Sequence, residues 1–255
     1  MFRVVIPARH ASTRLPGKPL LRIGGLPMIL HVHRLALRAG AAEVIVATDD
    51  ARIHDACRSA GAAVEMTGEH HASGTDRIAE VAKRRGWPAD DIVVNVQGDE
   101  PLLPPALVSQ VAGLLAATPG AAIATLATPI LNDADYLDPN VVKVVARADG
   151  MALYFSRAPI PWDRDGAAES PEGVGRHHGS RRHLGLYAYR VAALLALAVT
   201  APVEIERRER LEQLRALATG LAIVVADADP LPGPGVDTPE DLARVEALLR
   251  EAGQG

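Results

Sequence analysis

Between Pro7 and Leu20 the chain reads Pro7-Ala8-Arg9-His10-Ala11-Ser12-Thr13-Arg14-Leu15-Pro16-Gly17-Lys18-Pro19-Leu20. Arg9, Arg14 and Lys18 bring cations, Ser12 and Thr13 bring hydroxyls, and Gly17 leaves the backbone unobstructed in a stretch stiffened by proline. A polyphosphate needs that mixture: guanidiniums for paired oxygen contacts, an ammonium as a compact charge, and bare backbone N–H groups. The alternative from charge alone is a solvated basic loop. Of the 27 basic residues only Lys18, Lys83 and Lys143 are lysine, so a lysine inside this loop marks a place where arginine would not serve. The stretch is not a Walker loop, because the first glycine is missing and Lys18 is followed by Pro19. It also lacks the G-x-G-x-x-G dinucleotide signature.

Two acids suit a divalent cation. Asp99, in Gln97-Gly98-Asp99-Glu100-Pro101, follows the buried run Val93 to Val96, and Gly98 before it lets a ligand approach the backbone. Mg²⁺ takes one or two carboxylates and completes its shell with phosphate oxygens and water, so Asp99 facing a triphosphate fits that ion, with Asp237 as the natural second ligand. The competing readings are a turn acid at a strand end for Asp99 and a residue beside a helix dipole for Asp237. Ser73-Gly74-Thr75-Asp76-Arg77 opens a helix, which makes Ser73 or Thr75 an N-cap by the simplest account.

The elements that must position these residues are regular in the first half. Arg3 to Ile6, Glu43 to Ala47, Ala62 to Met66 and Asp91 to Val96 read as strands. They precede helical segments at Pro27 to Ala39, Ala51 to Ala60, Thr75 to Arg85 and Ala106 to Ala117. Near-continuous Val/Ile strands followed by helices require a parallel sheet covered on both faces, so the fold is α/β and doubly wound, with ligands expected at the carboxyl ends of strands. The second half is less regular. Strands are expected at Val141 to Ala146, Met151 to Phe155, His183 to Tyr189 and Ala222 to Ala226, a loop or lid at Arg157 to Arg182, and one helix at Glu204 to Thr219. Thr238-Pro239-Glu240-Asp241 is a cap, an N1 proline and first-turn acids, opening a helix with apolar face Leu242, Val245, Leu248 and Leu249.

Composition narrows the function classes. The 255 residues are 48% hydrophobic, ample for a sizeable core. A net charge of −4 and 3% aromatic residues offer neither a basic face nor stacking platforms for nucleic acid. The single Cys57 permits no internal disulfide and fits a reducing, cytoplasmic setting. The amino terminus is too short in apolar residues for an export signal, and the proline-free stretch Ala106 to Thr118 falls short of the roughly 20 residues a membrane span needs.

The chain resembles the 3-deoxy-D-manno-octulosonate (Kdo) cytidylyltransferases, or CMP-Kdo synthetases, of the sugar nucleotidyltransferases. The resemblance rests on PARHASTRLPGKPL (7–20), ATDD (47–50), HASGTDR (71–77), NVQGDEP (95–101) and PNVVKVV (139–145). It continues through YFSRAPIPWDRD (154–165), HLGLYAYR (183–190), LEQLR (211–215) and PGVDTPEDL (234–242), in the family's order over nearly the whole chain. It implies one nucleotidyltransferase domain over 1–255: a mostly parallel, Rossmann-like nucleotide half at 1–130, and an irregular sugar-binding and dimerising half at 131–255. It implies CMP transfer from CTP to the anomeric hydroxyl of Kdo, with pyrophosphate released, in a cytoplasmic homodimer serving lipopolysaccharide synthesis. Asp99 and Asp237 would hold Mg²⁺. Arg9 and Arg14 would take the β- and γ-phosphates, with Ser12 in the same loop, and Lys18 would follow charge near the α-phosphorus. Ser73, Gly74, Thr75, Arg77, Gln97 and Gly98 would lie along the nucleotide. Arg157 and His183 would face the sugar carboxylate, and Tyr187, Glu212 and Gln213 its hydroxyls. The pairs His70-His71 and His177-His178 have no partners at metal spacing and are read as surface. The rival activities are a cytidylyltransferase for 8-amino-Kdo or sialic acid and a catalytically idle nucleotide-binding protein.

Overall fold

Alternation inside the first strand already dictates two-sided packing. In β1 (Phe2–Ala8), Val4 and Ile6 enter one hydrophobic cluster while Val5, between them, enters another, and none of the three is exposed. A computed structural model describes residues 1–10, 15–164 and 177–251. After β1 come a 3₁₀ turn at Lys18–Leu20, a short ribbon of β2 (Arg22–Ile23) and β3 (Leu26–Pro27), and helix α1 (Met28–Leu37). Then follow β4 (Glu43–Thr48), α2 (Ala51–Ser59), β5 (Val64–Met66), α3 (Gly74–Arg85), β6 (Ile92–Asn95), α4 (Pro105–Ala117), β7 (Ile123–Pro129) and α5 (Asp133–Leu137). The second half supplies β8 (Lys143–Ala146), β9 (Ala152–Ser156), β10 (Arg181–Arg190), α6 (Val191–Val199), α7 (Glu204–Glu209), α8 (Gln213–Ala218), β11 (Ile223–Asp227) and α9 (Pro239–Glu251).

The main sheet runs β11-β7-β10-β6-β1-β4-β5, with β8 and β9 joined to it through β10. β6, β1, β4 and β5 pair in parallel, as do β7 and β11. β10 lies antiparallel between β6 and β7, so the sheet is mixed but mostly parallel, the α/β arrangement expected from the strand pattern. The sheet crosses from the first half of the chain into the second without interruption, because β10 and β11 are hydrogen-bonded into it. Side chains of α1 and α4 pack with one face and those of α3 and α6 with the other. Among the described residues no helix is long and apolar enough to cross a membrane.

Three local expectations are corrected, and one helix is added. The single helix expected over Glu204 to Thr219 is two helices, α7 and α8, because Arg210 turns the chain at a left-handed φ of 51°. The repeat Leu211, Leu214, Leu217 therefore belongs to α8 and the turn before it. Helix α6 was not legible: its sequence is apolar all round and carries no helical period. β10 begins two residues earlier than expected, at Arg181, where it pairs with both β7 and β8. In α9, Val245 and Leu249 are buried but Leu248 is exposed, so the apolar face is narrower than expected. The α9 cap is as the sequence implies: Asp241 N–H donates to Thr238 Oγ1 at 3.2 Å, and Thr238 N–H to Asp241 Oδ2 at 3.0 Å. Of the loop or lid expected over Arg157 to Arg182, residues 165–176 lie outside the described residues, and Arg181 and Arg182 belong to β10.

Candidate active site

Gly17 closes the basic loop. Its φ of 70° is left-handed, its N–H donates to the His10 carbonyl at 3.1 Å, and it precedes the 3₁₀ turn that Pro19 helps start. Lys18 is thereby turned inward and is only 8% exposed. Its Nζ donates to Asp99 Oδ2 at 2.6 Å and to Asp237 Oδ1 at 3.1 Å, joining segments 81 and 219 residues away. Asp99 stands beyond the carboxyl end of β6, and Asp237 just before α9. The Val236 N–H donates to the Asp99 carbonyl at 2.9 Å, which ties the two acids together through the backbone. Gly98 permits the close approach: a Cβ there would sit 3.2 Å from the Pro7 carbonyl.

Charge at this point is unbalanced toward the negative. Glu100 is pushed up to about 7 by burial first and then by Asp99 and Asp237, with Arg182 and Lys18 working against the shift. Its carboxyl lies against Gly235, where a Cβ would approach Oε1 to 3.0 Å. Two carboxylates that converge on the Lys18 ammonium, both oxygen donors, would fit Mg²⁺ with phosphate and water completing its shell. Among the described residues no three His, Cys, Asp or Glu side chains are grouped to hold a metal unaided.

The cleft above these groups has a volume of about 390 Å³, with Arg9, Lys18, Ser73, Arg77, Asp99 and Asp237 among its lining residues. Ser12 and Arg14, placed by sequence in the same loop, lie outside the described residues. Ser73 is the N-cap of α3: its hydroxyl accepts from Asp76 N–H at 3.2 Å, and the Asp76 carboxylate accepts from the Ser73 N–H at 3.2 Å. The cap exposes the amino end of α3 toward the cleft, where an anion is favoured. Arg77 lies one turn in, and its guanidinium is engaged by Asp49, Thr67 and the Gly68 carbonyl. It holds the ATDD segment against α3. His71, expected at the surface, is instead held by Glu80, which also accepts from Gly68 N–H, and it lines the cleft. His177 is likewise paired, with Asp133 at 2.6 Å.

A smaller cavity of about 130 Å³ adjoins the cleft through Gly74 and Gln97, residues common to both. It brings together Thr75, Tyr187, Glu212 and Gln213. Thr75 Oγ1 donates to Glu212 Oε2 at 2.5 Å. The Tyr187 ring is 5.2 Å from His183, which stands edge-on to Phe155 at 5.0 Å. Burial lowers His183 to about 3 and raises the Tyr187 phenol well above its usual range, so both side chains are neutral at ordinary pH. A neutral imidazole can hydrogen-bond a carboxylate but cannot neutralise it.

β10 shifts register against β7 between His183 and Tyr187. This irregularity sets those two rings beside each other, as bulges near sites re-aim side chains. Thr125 secures it: its Oγ1 lies 3.1 Å from His183 Nε2 and within hydrogen-bond reach of the Leu184 and Leu186 carbonyls. Sequence reasoning missed Thr125, whose position in an apolar strand gave no signal, and Asn95, which is 3% exposed and lines the small cavity. Asn95 could have been found as the polar end of a strand whose next turn carries Gln97 and Asp99. Arg157 is not on the wall of either cavity: its Nε donates to the Glu209 carbonyl at 2.6 Å and its Nη1 to that of Pro139 at 2.8 Å.

Comparison with known proteins gives a consistent picture. The family model described as "Cytidylyltransferase" matches residues 3–223. The chain is 57% identical over 255 residues to the 3-deoxy-manno-octulosonate cytidylyltransferase of Thioalkalivibrio sulfidiphilus, covering 98% of this chain and 99% of that protein. It is 55% identical over 249 residues to the protein of the same name from Halorhodospira halophila, covering 98% and 97%. A solved structure of a CMP:2-keto-3-deoxy-manno-octonic acid synthetase complexed with CTP superposes with a TM-score of 0.88 at 42% identity, covering 99% of this chain and 100% of that one.

Proposed function

This chain belongs to the 3-deoxy-manno-octulosonate cytidylyltransferase family, and we propose that its Lys18–Asp99–Asp237 cluster and the adjoining small cavity are where that family's reaction takes place. It is a nucleotidyltransferase that moves CMP from CTP to Kdo. In balanced form, the anomeric hydroxyl oxygen of Kdo bonds to the α-phosphorus, the bond from that phosphorus to the bridging oxygen breaks, pyrophosphate departs, and the hydroxyl proton is released. No side chain becomes covalently attached, so the protein's share is orientation and charge.

The single observation that carries the assignment is the convergence of Asp99 and Asp237 on the buried Lys18 ammonium. These two aspartates would hold Mg²⁺. Once bound there, the ion supplies neutralisation at the phosphate and a lowered pKa for the incoming hydroxyl. Lys18 and Arg9 add positive charge to the triphosphate side, and the capped amino end of α3 offers N–H groups to it. Gly74 and Gln97, at the junction of the cavities, and Thr75 in the smaller one orient nucleotide against sugar. Glu212, Gln213 and the phenol of Tyr187 hydrogen-bond the sugar hydroxyls, while neutral His183 hydrogen-bonds rather than neutralises its carboxylate. Arg157, which the resemblance assigns to that carboxylate, is instead bonded to the Glu209 and Pro139 carbonyls and lines neither cavity. The resemblance alone supports a cytoplasmic homodimer whose product serves lipopolysaccharide synthesis.

The test is pyrophosphate release with four nucleoside triphosphates and a panel of 2-keto acid sugars, with Mg²⁺ and with excess EDTA. The expected result is turnover with CTP and Kdo that EDTA abolishes. Release with sialic acid or 8-amino-Kdo alone would move the sugar assignment, and turnover unaffected by EDTA would remove the metal.

A further inference from the structure

Glu209, the last residue of α7, grips the end of β9 from three sides. Its Oε1 accepts from the Ser156 hydroxyl at 2.6 Å, its Oε2 from the Arg157 N–H at 2.9 Å, and its carbonyl from Arg157 Nε at 2.6 Å. Immediately afterwards Arg210 reverses the chain, and Glu212 and Gln213 enter the small cavity. The carboxylate therefore ties the end of β9 to the end of α7, with only Arg210 to Glu212 before α8 begins. Lys143 completes the anchorage of Arg157: its ammonium, with the residue wholly buried, donates to the Arg157 carbonyl at 2.7 Å and to those of Val141 and Asp138 at 2.6 and 2.9 Å.

We propose that Glu209 is a positioning residue for the acid-sugar subsite, tying the end of β9 to the turn from which Glu212 and Gln213 enter the small cavity. The inference rests on the assignment of that cavity to the sugar. It does not reduce to fold stability, because α7 and α8 are already fastened by a separate buried pair, Glu206 with Arg215, and by the core residues Leu211 and Leu214. Glu209 itself is only partly buried. Small displacements of positioning groups are costly to binding and rate, so its loss should register on the sugar and spare the nucleotide.

The experiment compares full-length wild type, Glu209→Ala, Glu209→Gln and, as a control inside the cavity, Gln213→Ala, with CTP and Kdo varied separately. Glu209→Ala is expected to raise KM for Kdo about tenfold while KM for CTP stays within about twofold, and Glu209→Gln, which keeps one acceptor oxygen, to recover part of the loss. Should Glu209→Ala aggregate, Glu209→Gln carries the test with the same split at smaller size. An unchanged KM for Kdo, or equal rises for both substrates, in Glu209 variants while Gln213→Ala raises KM for Kdo, overturns the positioning role alone. An unchanged KM for Kdo in Gln213→Ala as well overturns the sugar assignment and this inference with it.

Discussion

Thr75 and Glu212 share a hydrogen bond of 2.5 Å across 137 residues of chain, the hydroxyl of one helix's first turn donating to the carboxylate at the start of another. Thr75 is 4% exposed, so the bond forms away from bulk water and links α3, beside the larger cleft, to α8, beside the small cavity. Thr75→Val keeps the shape and removes the donor. A hydrogen bond to a charged group contributes about 1.5–3 kcal/mol, so urea unfolding should show a loss of that order, with KM for Kdo raised and Thr75→Ser close to wild type. A Thr75→Val protein as stable and active as wild type would mean that Glu212 finds another donor.

Asp99→Asn and Asp237→Asn should each fold normally and lose about a hundredfold or more in kcat. Folding is spared because the carboxylates are not core groups: their side chains are 39% and 53% exposed. The loss comes from removing anionic oxygens from the one place where they converge. Steady-state rates across a Mg²⁺ titration, with circular dichroism of each variant, check both halves of the statement. Turnover near wild type in either variant, at any Mg²⁺ concentration, would break the metal assignment.

Much of this arrangement is legible in the residues, and what is not has physical reasons. Strand β6 and the glycine before Asp99 place an acid at a strand end by local pattern alone. Nothing local says that Asp237 meets it, because that meeting depends on the Val236–Asp99 backbone bond and on Lys18 reaching both. Helix α6 hides because a segment apolar on all sides has no period, and the Arg210 turn hides because a charged residue rather than glycine adopts the left-handed conformation. The His183–Tyr187 register shift is likewise a property of strand pairing, which only the neighbouring Thr125 makes intelligible. Arg77 is the opposite case: the resemblance lays it along the nucleotide, yet Asp49 and Thr67 already engage it, a competition that no spacing shows.

Glu206 and Arg215 form an ion pair closed to solvent between α7 and α8, each residue 8% exposed, with Arg215 Nε 2.9 Å from Glu206 Oε2. Arg215 Nη1 also donates to the Leu197 and Thr200 carbonyls at 3.1 Å. Burial alone would raise the Glu206 pKa, but hydrogen bonds from Arg215 and the Val203 N–H outweigh it and hold the value below the usual range. The pair's contribution is therefore present above the unfolded pKa of about 4.3 and fades as pH falls through the lower folded value. Glu206→Ala leaves a buried guanidinium uncompensated and should cost about 3–5 kcal/mol in urea unfolding at pH 7. A loss below about 1 kcal/mol would show that water reaches Arg215 once the carboxylate is gone.

His183, beside Tyr187, makes stability depend on acid. Burial holds its folded pKa at about 3, whereas the unfolded value is about 6.5. Between those limits the unfolded chain binds a proton that the folded protein excludes. The stabilisation tied to the neutral ring is therefore complete above about pH 6.5 and erodes as pH falls toward the folded value, by up to about 1.4 kcal/mol per pH unit. Glu100, raised to about 7, titrates over part of the same range in the opposite sense, so the comparison must be a difference between wild type and His183→Gln. That difference, from urea unfolding at half-unit steps from pH 8 to 4.5, should be level at the alkaline end and turn against wild type below about 6.5. A difference independent of pH would mean that the ring is solvated and able to carry a proton in the folded protein. It would then face the sugar carboxylate as a cation, and kcat/KM for Kdo would rise on acidification through its pKa rather than pass that range unchanged.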